Sequence, residues 1–182
     1  GMNRYTPRKR VEAVLRHEQP DKTPLTMYEC MIPQCTVERR LRNDGMCIVN
    51  RTSVYRTRTP NVRTERLTYS EDGVTYVRTT HRTPVGELYS IGRPAGFTTW
   101  QISKVFKGPE DYNTLLYMIE DERFEPWYEE YAVAEEAFGD DAIFRAAVGS
   151  NPLHHIMIQY MGADAFAIEW SERRDEVLKL YD

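Results

Sequence analysis

Cysteine is scarce in this chain of 182 residues, and long apolar runs are missing altogether. Cys30, Cys35 and Cys47 make an odd count of three, which argues against a secreted disulfide scaffold. No apolar run approaches the roughly 20 residues that cross a bilayer, and no hydrophobic leader follows the basic start. No membrane partner is therefore expected, and the expected location is the cytoplasm. A Gly-rich phosphate loop, a Gly-x-Ser-x-Gly elbow and a His-Glu-x-x-His helix are missing too, so the chemistries built on them have no motif here. No internal repeat or low-complexity tract is visible. A formal net charge of −4 gives no global reason to expect a nucleic-acid partner.

What is present describes an ordinary folded protein. Hydrophobic residues make up 41% and charged residues 29%, a balance that can build one cored domain. Gly1 before Met2 reads as a residue left by removal of an expression tag. Leu178-Lys179-Leu180-Tyr181-Asp182 stops inside a helical pattern without a cap, so a fragment or an early-ending gene product is expected.

The opening segment has clear punctuation. Thr6 suits a helix N-cap and Pro7 the first helical position. Val11, Val14 and Leu15 are spaced to form one apolar face. Pro20 and Pro24 bracket Asp21-Lys22-Thr23 and stop the helix near His17 to Gln19. Leu25 to Cys30 then reads as a strand and Val37 to Leu41 as a short helix. From Ile48 to Ile91 the composition is rich in Thr, Val, Tyr and Arg, which favours β structure. Arg66–Tyr69 and Val74–Val77 flank Ser70-Glu71-Asp72-Gly73, a hairpin signal. Pro84-Val85-Gly86 and the Gly92–Gly96 stretch are expected to break the β region further.

Helical spacing returns after Pro109, with Tyr112, Leu115, Leu116 and Ile119 on one face. A second helix is expected from near Pro126 to Phe138. Ala142 to Val148 reads as a buried parallel strand. Leu153, Ile156, Met157 and Tyr160 mark a further helix, and Ser171 is expected to cap the last one, with Glu172 in its first turn.

Arg10-Val11, Leu15, His17, Pro20-Asp21 and Pro24 form an Arg-Val-x-x-x-Leu-x-His-x-x-Pro-Asp-x-x-Pro pattern. This closely resembles the start of the uroporphyrinogen decarboxylase-like superfamily, which includes zinc-dependent methyltransferases working with methyl-corrinoid proteins. Thr83-Pro84-Val85-Gly86 resembles a segment on an N-terminal hairpin of the methyltransferase members. Gly162–Phe166 followed by Ser171–Val177 resembles their helix pair in the first half of the barrel.

The resemblance implies an α/β fold: a partial (β/α)8 barrel with an antiparallel hairpin excursion. Residues 1–47 would be the N-terminal helix and first strand, 48–100 a β-rich insertion and 101–182 an αβα barrel segment. A closed barrel needs about 250 residues, so the chain would be the N-terminal half only. Exposed strand edges would then favour a homo-oligomer.

Arginine-rich sequence follows strand one in the porphyrinogen decarboxylases. Tyr28 to Gln34 holds no arginine here, and Glu29 would repel a polycarboxylate. The expected activity is thus transfer of a methyl group between a methyl-corrinoid protein and a thiol. Uroporphyrinogen decarboxylation in porphyrin biosynthesis is the alternative, and a non-catalytic docking or dimerisation module a third reading. The resemblance puts Tyr28, Glu29, Ser150, Asn151 and His154 on the cavity rim, positioning a substrate or corrinoid, with no catalytic residue assigned. The implied partners are a corrinoid carrier protein and a small methyl donor or thiol acceptor. Zinc and corrinoid would need the second half of the domain, where the family's His and two Cys ligands lie.

Other residues carry weaker signals. Cys30 and Cys35 could contribute to a zinc site, but two donors are too few and Pro33 opposes a zinc knuckle; otherwise they are small, partly buried thiols. His154 and His155 are adjacent, so both cannot point inward from a helix. Arg51, Arg56, Arg58, Arg63, Arg66, Arg78, Arg82 and Arg93 with Tyr55, Tyr69 and Tyr76 form a basic, aromatic zone. That zone suits a solvated hairpin face, carrier or cofactor docking, or single-stranded nucleic acid. The carboxylates at 120–122, 129–130 and 135–136 are expected to face solvent.

Overall fold

The computed structural model describes residues 5–96 and 98–182. In chain order its elements are α1 (Pro7–Leu15), β1 (Thr26–Tyr28), α2 (Thr36–Asn43), β2 (Cys47–Asn50), β3 (Tyr55–Arg58), β4 (Arg63–Glu71), β5 (Val74–Thr83), β6 (Gly86–Ala95) and β7 (Thr98–Ser103). There follow α3 (Tyr112–Glu120), β8 (Arg123–Pro126), α4 (Glu129–Phe138), β9 (Ala142–Phe144), α5 (Pro152–His155), α6 (Ala163–Glu172) and α7 (Arg174–Tyr181). They fall into two units: the chain up to Arg56 with Glu125–Val148, and Thr57–Phe124 with Gly149–Asp182. The protein is mixed α/β, with one parallel sheet and antiparallel strands elsewhere. The parallel sheet has three strands and closes no barrel among the described residues. No described helix is long and apolar enough to cross a membrane.

In the first unit, Thr6 Oγ1 accepts a bond from Lys9 N–H at 3.2 Å and Pro7 opens α1, as the sequence predicts. The buried face differs from the expected one. Val14 and Leu15 are exposed, while Arg10, Val11 and Ala13 are buried. Apolar spacing gave no sign of Arg10, which an ion pair described below holds in the buried face.

The sheet order is β1-β2-β9, all parallel, with Met27 beside Ile48 and Ile48 beside Ala142. Met46, Ile48 and Ala142 form its core, closed by Leu41 of α2 and Phe138 of α4. Both helices thus cover the face that carries Met27, Ile48 and Phe144. Tyr131 and Phe138 of α4 meet the Phe144 ring edge-on, at 5.3 and 6.5 Å. On the other face Tyr28, Val49 and Ile143 lie side by side and remain partly exposed. Strand β9 ends at Phe144, shorter than expected. Ala146 to Val148 are exposed, and Ala147 makes one isolated bridge to Ser53.

The second unit is built on the antiparallel meander β4-β5-β6-β7. Asp72 and Gly73 turn the first hairpin with φ of 50° and 74°, a left-handed pair that Asp-Gly adopts readily. The break expected at Gly92 is a bulge instead. Strand β6 runs through it, and the register with β7 shifts between Ile91 and Gly92. A Cβ at Gly92 would sit 2.8 Å from Thr99 Cγ2, so any side chain there would force the Thr99 methyl to move.

Of the β-rich stretch 48–100, β2 joins the parallel sheet, while β4–β7 share a unit with α3 and α5–α7. The core of that unit combines Leu88, Phe106, Leu115, Ile156, Val177 and Leu180. Tyr112 O–H donates to the buried Glu169 at 2.7 Å, and Arg173 closes the other carboxylate oxygen at 2.9 Å. Ser171 does not cap α7: α6 continues through it to Glu172, and the chain breaks at Arg173. Asp121, expected in solvent, is 5% exposed. Its two oxygens accept 2.8 Å bonds from the Asn61 backbone and side-chain N–H groups.

Candidate functional site

Parallel strands bring all their C-terminal ends to one edge, where the next residues gather. The residues that follow β1, β2 and β9 are Glu29, Arg51 and Arg145. Backbone bonds hold them in place: Glu29 N–H donates to Val49 O at 3.4 Å, and Arg145 N–H to Asn50 O at 2.8 Å.

Their side chains converge on Tyr28. The Arg51 guanidinium lies over the Tyr28 ring, 4.3 Å from its centroid. It also donates to Glu29 Oε1 from Nε at 3.2 Å and from Nη2 at 3.0 Å. The same Nη2 lies 3.0 Å from Cys30 Sγ. From the third strand, Arg145 Nη1 donates to Tyr28 O–H at 3.0 Å. Tyr28 is thus gripped by two cations from different strands. Burial opposes ionisation of Glu29, but the Arg51 bonds outweigh it and hold the carboxyl below its usual range. Glu29 and Arg51 neutralise each other, which leaves Arg145 as the cation of this rim without a carboxylate partner.

Beside Tyr28 lies a cleft of about 540 Å³, lined by Met27, Met31, Ile32 and Val49 among others. The edge therefore offers an apolar cleft, an aromatic ring and cations within one small area. Such a surface can position a large ligand that has both apolar and anionic parts.

Two of the five sequence-derived rim residues, Tyr28 and Glu29, belong to this cluster. Ser150, Asn151 and His154 belong to the second unit. There Asn151 Oδ1 accepts from Leu153 N–H at 3.0 Å and caps α5. Ser150 and His154 are exposed. The sequence reading missed Arg51 and Arg145 as rim residues. Each is the first residue after a strand, but the sequence placed Arg145 inside an expected strand from Ala142 to Val148, so no local signal marked it.

Cys30 and Cys35 are exposed rather than partly buried, and Cys47 is the buried thiol, pushed up to about 11 by desolvation. No group of three His, Cys, Asp or Glu side chains positioned for a metal occurs among the described residues. Within the basic zone several arginines are already engaged. Arg63 and Arg82 pair with Glu65, Arg82 also pairs with Glu87, and Arg78 stacks on Tyr89 at 4.0 Å. Comparison with protein-family models, curated proteins and solved structures finds no match to the chain.

Proposed function

We propose that the chain is the N-terminal part of a uroporphyrinogen decarboxylase-like (β/α)8 barrel, acting in methyl transfer between a methyl-corrinoid protein and a thiol. The observation that carries this is the parallel β1-β2-β9 sheet, with helices packed on one face and Tyr28, Glu29, Arg51 and Arg145 gathered beyond its C-terminal ends. Helices outside and ligand groups at the C-terminal ends are the arrangement of a β/α barrel. The partly exposed Tyr28–Val49–Ile143 face would then point toward the barrel interior.

In this role the chain's own residues bind and orient. Arg145 would offer its guanidinium to an anionic group of the cofactor, such as the phosphate of its nucleotide tail, and Arg51 keeps Glu29 from repelling it. The Tyr28 ring and the Met31–Ile32 wall take the apolar surface. By the resemblance, Ser150, Asn151 and His154 would also position substrate. A corrinoid on its carrier protein would supply the methyl group. Zinc would activate the thiol, and the resemblance puts its His and two Cys ligands in the second half of the domain. The free edges of the three-stranded sheet favour a homo-oligomer.

One observation favours porphyrinogen decarboxylation as a second reading. The arginines absent after β1 are supplied by β2 and β9, so Tyr28 does face cations. Titration with methylcobalamin and with coproporphyrin, a tetracarboxylate, separates the two. Saturable binding of methylcobalamin at least as tight as coproporphyrin is expected. Binding of coproporphyrin alone would replace methyl transfer by the decarboxylase reading.

A further inference from the structure

The inner face of the β4–β7 meander is not uniformly apolar. Thr64 and His81 are directly paired across β4 and β5. They share a cavity with Ser90 of β6 and Gln101 of β7, so each strand contributes one polar side chain to it. A sheet face turned toward helices ordinarily presents apolar residues, as Leu88 does beside them in the core. The opposite wall is helical: Met118 of α3, Glu122 just beyond it, and His155, Gln159 and Tyr160. The cleft is open on one side and has a volume of about 350 Å³, within the range of small-molecule sites.

The helical wall has an uncommon backbone. After α5 the helix widens into a π turn over Ile156–Met161, closed by Gly162 N–H donating to Met157 O at 2.8 Å. Phe106 N–H bonds Tyr160 O at 3.0 Å, and Lys104 Nζ bonds Ile158 O at 2.6 Å, so the widened turn is pinned. It sets the His155 and Tyr160 rings edge to face, 5.0 Å apart.

Several polar groups lining this cleft are free to meet a ligand, with Gln101, His155 and Gln159 exposed to solvent. Among the described residues, the side chains of Ser90, Gln101, His155 and Gln159 make no hydrogen bond. Glu122 Oε1 accepts from Tyr160 O–H at 3.3 Å, while Oε2 has no partner. Glu122 is the one carboxylate in the lining. Among the described residues no ion pair involves Glu122, while Lys104 bonds Ile158 O and Arg123 the carbonyls of Glu120 and Glu122. Burial, aided by the Arg66 charge, lowers the His81 pKa and so favours the neutral imidazole, with Nδ1 2.9 Å from Thr64 Oγ1.

We propose that this cavity binds a small ring-bearing amine or amidine. Glu122 meets the N–H groups, Gln101 and Gln159 add polar contacts, and the ring packs on Tyr160, His155 and Met118. A carboxylate that keeps one oxygen free beside two aromatic rings suits a planar cation. The site lies wholly in the second unit and does not depend on the corrinoid reading.

Benzamidine and its charge-reversed analogue benzoate test it, by calorimetric titration of the whole chain and by amide chemical-shift mapping. Expected are saturable benzamidine binding below about 10 mM, no saturation by benzoate, and weakening of about tenfold or more in Glu122→Gln with an unchanged melting temperature. The shifts in the wild-type chain should centre on His81, Gln101, Gln159 and Tyr160, a readout that survives if Glu122→Gln does not fold. Equal binding of benzoate, no saturable benzamidine binding, a folded Glu122→Gln that binds as before, or shifts centred elsewhere would each overturn the proposal.

Discussion

Arg10 and Asp21 form a two-pronged ion pair that ties α1 to the turn behind it. Arg10 Nε meets Asp21 Oδ1 at 2.6 Å and Nη2 meets Oδ2 at 2.9 Å. Arg10 is 4% exposed, and its remaining N–H groups donate to Tyr5 O at 3.1 Å and Gly45 O at 3.4 Å. Pro20 and Pro24 present Asp21 to it by stiffening the turn. The opening pattern thus has a physical reason: the arginine and the aspartate are one structural device.

The pair makes stability depend on acid. The Arg10 bonds, opposed by partial desolvation, hold the Asp21 carboxyl below its ordinary value of about 3.9. A depressed folded value means that the contribution is complete above the unfolded value and is lost as pH falls through the folded one. Asp21→Asn should therefore lower the melting temperature at pH 7 and lower it less at pH 2. Arg10→Ala should cost more than Asp21→Asn at pH 7, because it also strands the Tyr5 and Gly45 carbonyls. Melting curves at both pH values check this; equal losses at pH 2 and pH 7 would contradict it.

Two glycines with positive φ should respond differently to alanine. Gly45 has φ of 103°, and a Cβ there would lie 2.9 Å from Arg10 Nη1. Gly73 has φ of 74° with nothing within 4 Å. Gly73→Ala should cost only the backbone term, about 1–2 kcal/mol. Gly45→Ala should cost that and disturb the Arg10 cluster as well, giving the larger fall in denaturation midpoint.

The second unit should weaken in alkali. Desolvation and the bond to Glu169 raise the Tyr112 pKa, and desolvation with the Glu122 charge raises that of Tyr160. Raised folded values mean stability that is intact below the free phenol value of about 10 and lost as pH rises beyond it. Tyr112→Phe should cost about 1–2 kcal/mol at pH 7 by removing the bond to Glu169. It should also reduce the loss between pH 9 and pH 11, which denaturant titrations at those values measure.

Local chemistry made part of this fold legible in the sequence. Thr6-Pro7 and Asp72-Gly73 act through their own backbone, so their roles could be read without the rest of the chain. Tyr112, Leu115 and Ile119 likewise kept their helical spacing. Residues whose setting depends on distant partners were not legible. Arg10 is buried because Asp21 and Gly45 come to meet it, and Asp121 because Asn61 does. Ser171 resembles a cap locally, yet α6 runs through it because the break comes at Arg173.

Of the four side chains gathered beyond the parallel sheet, the family resemblance named two, Tyr28 and Glu29. Arg51 and Arg145 join them only because β2 and β9 pair in parallel, which local pattern does not reveal.

The central claim is that the C-terminal edge of β1-β2-β9 receives the corrinoid, and Arg145 tests it most directly. Methylcobalamin is titrated against the wild-type chain, Arg145→Ala, and Arg93→Ala on β6 as a control. The expected result is affinity about tenfold weaker for Arg145→Ala, corresponding to about 1.4 kcal/mol, with Arg93→Ala unchanged and all three melting alike. Unchanged affinity in Arg145→Ala, or an equal loss in Arg93→Ala, would contradict it.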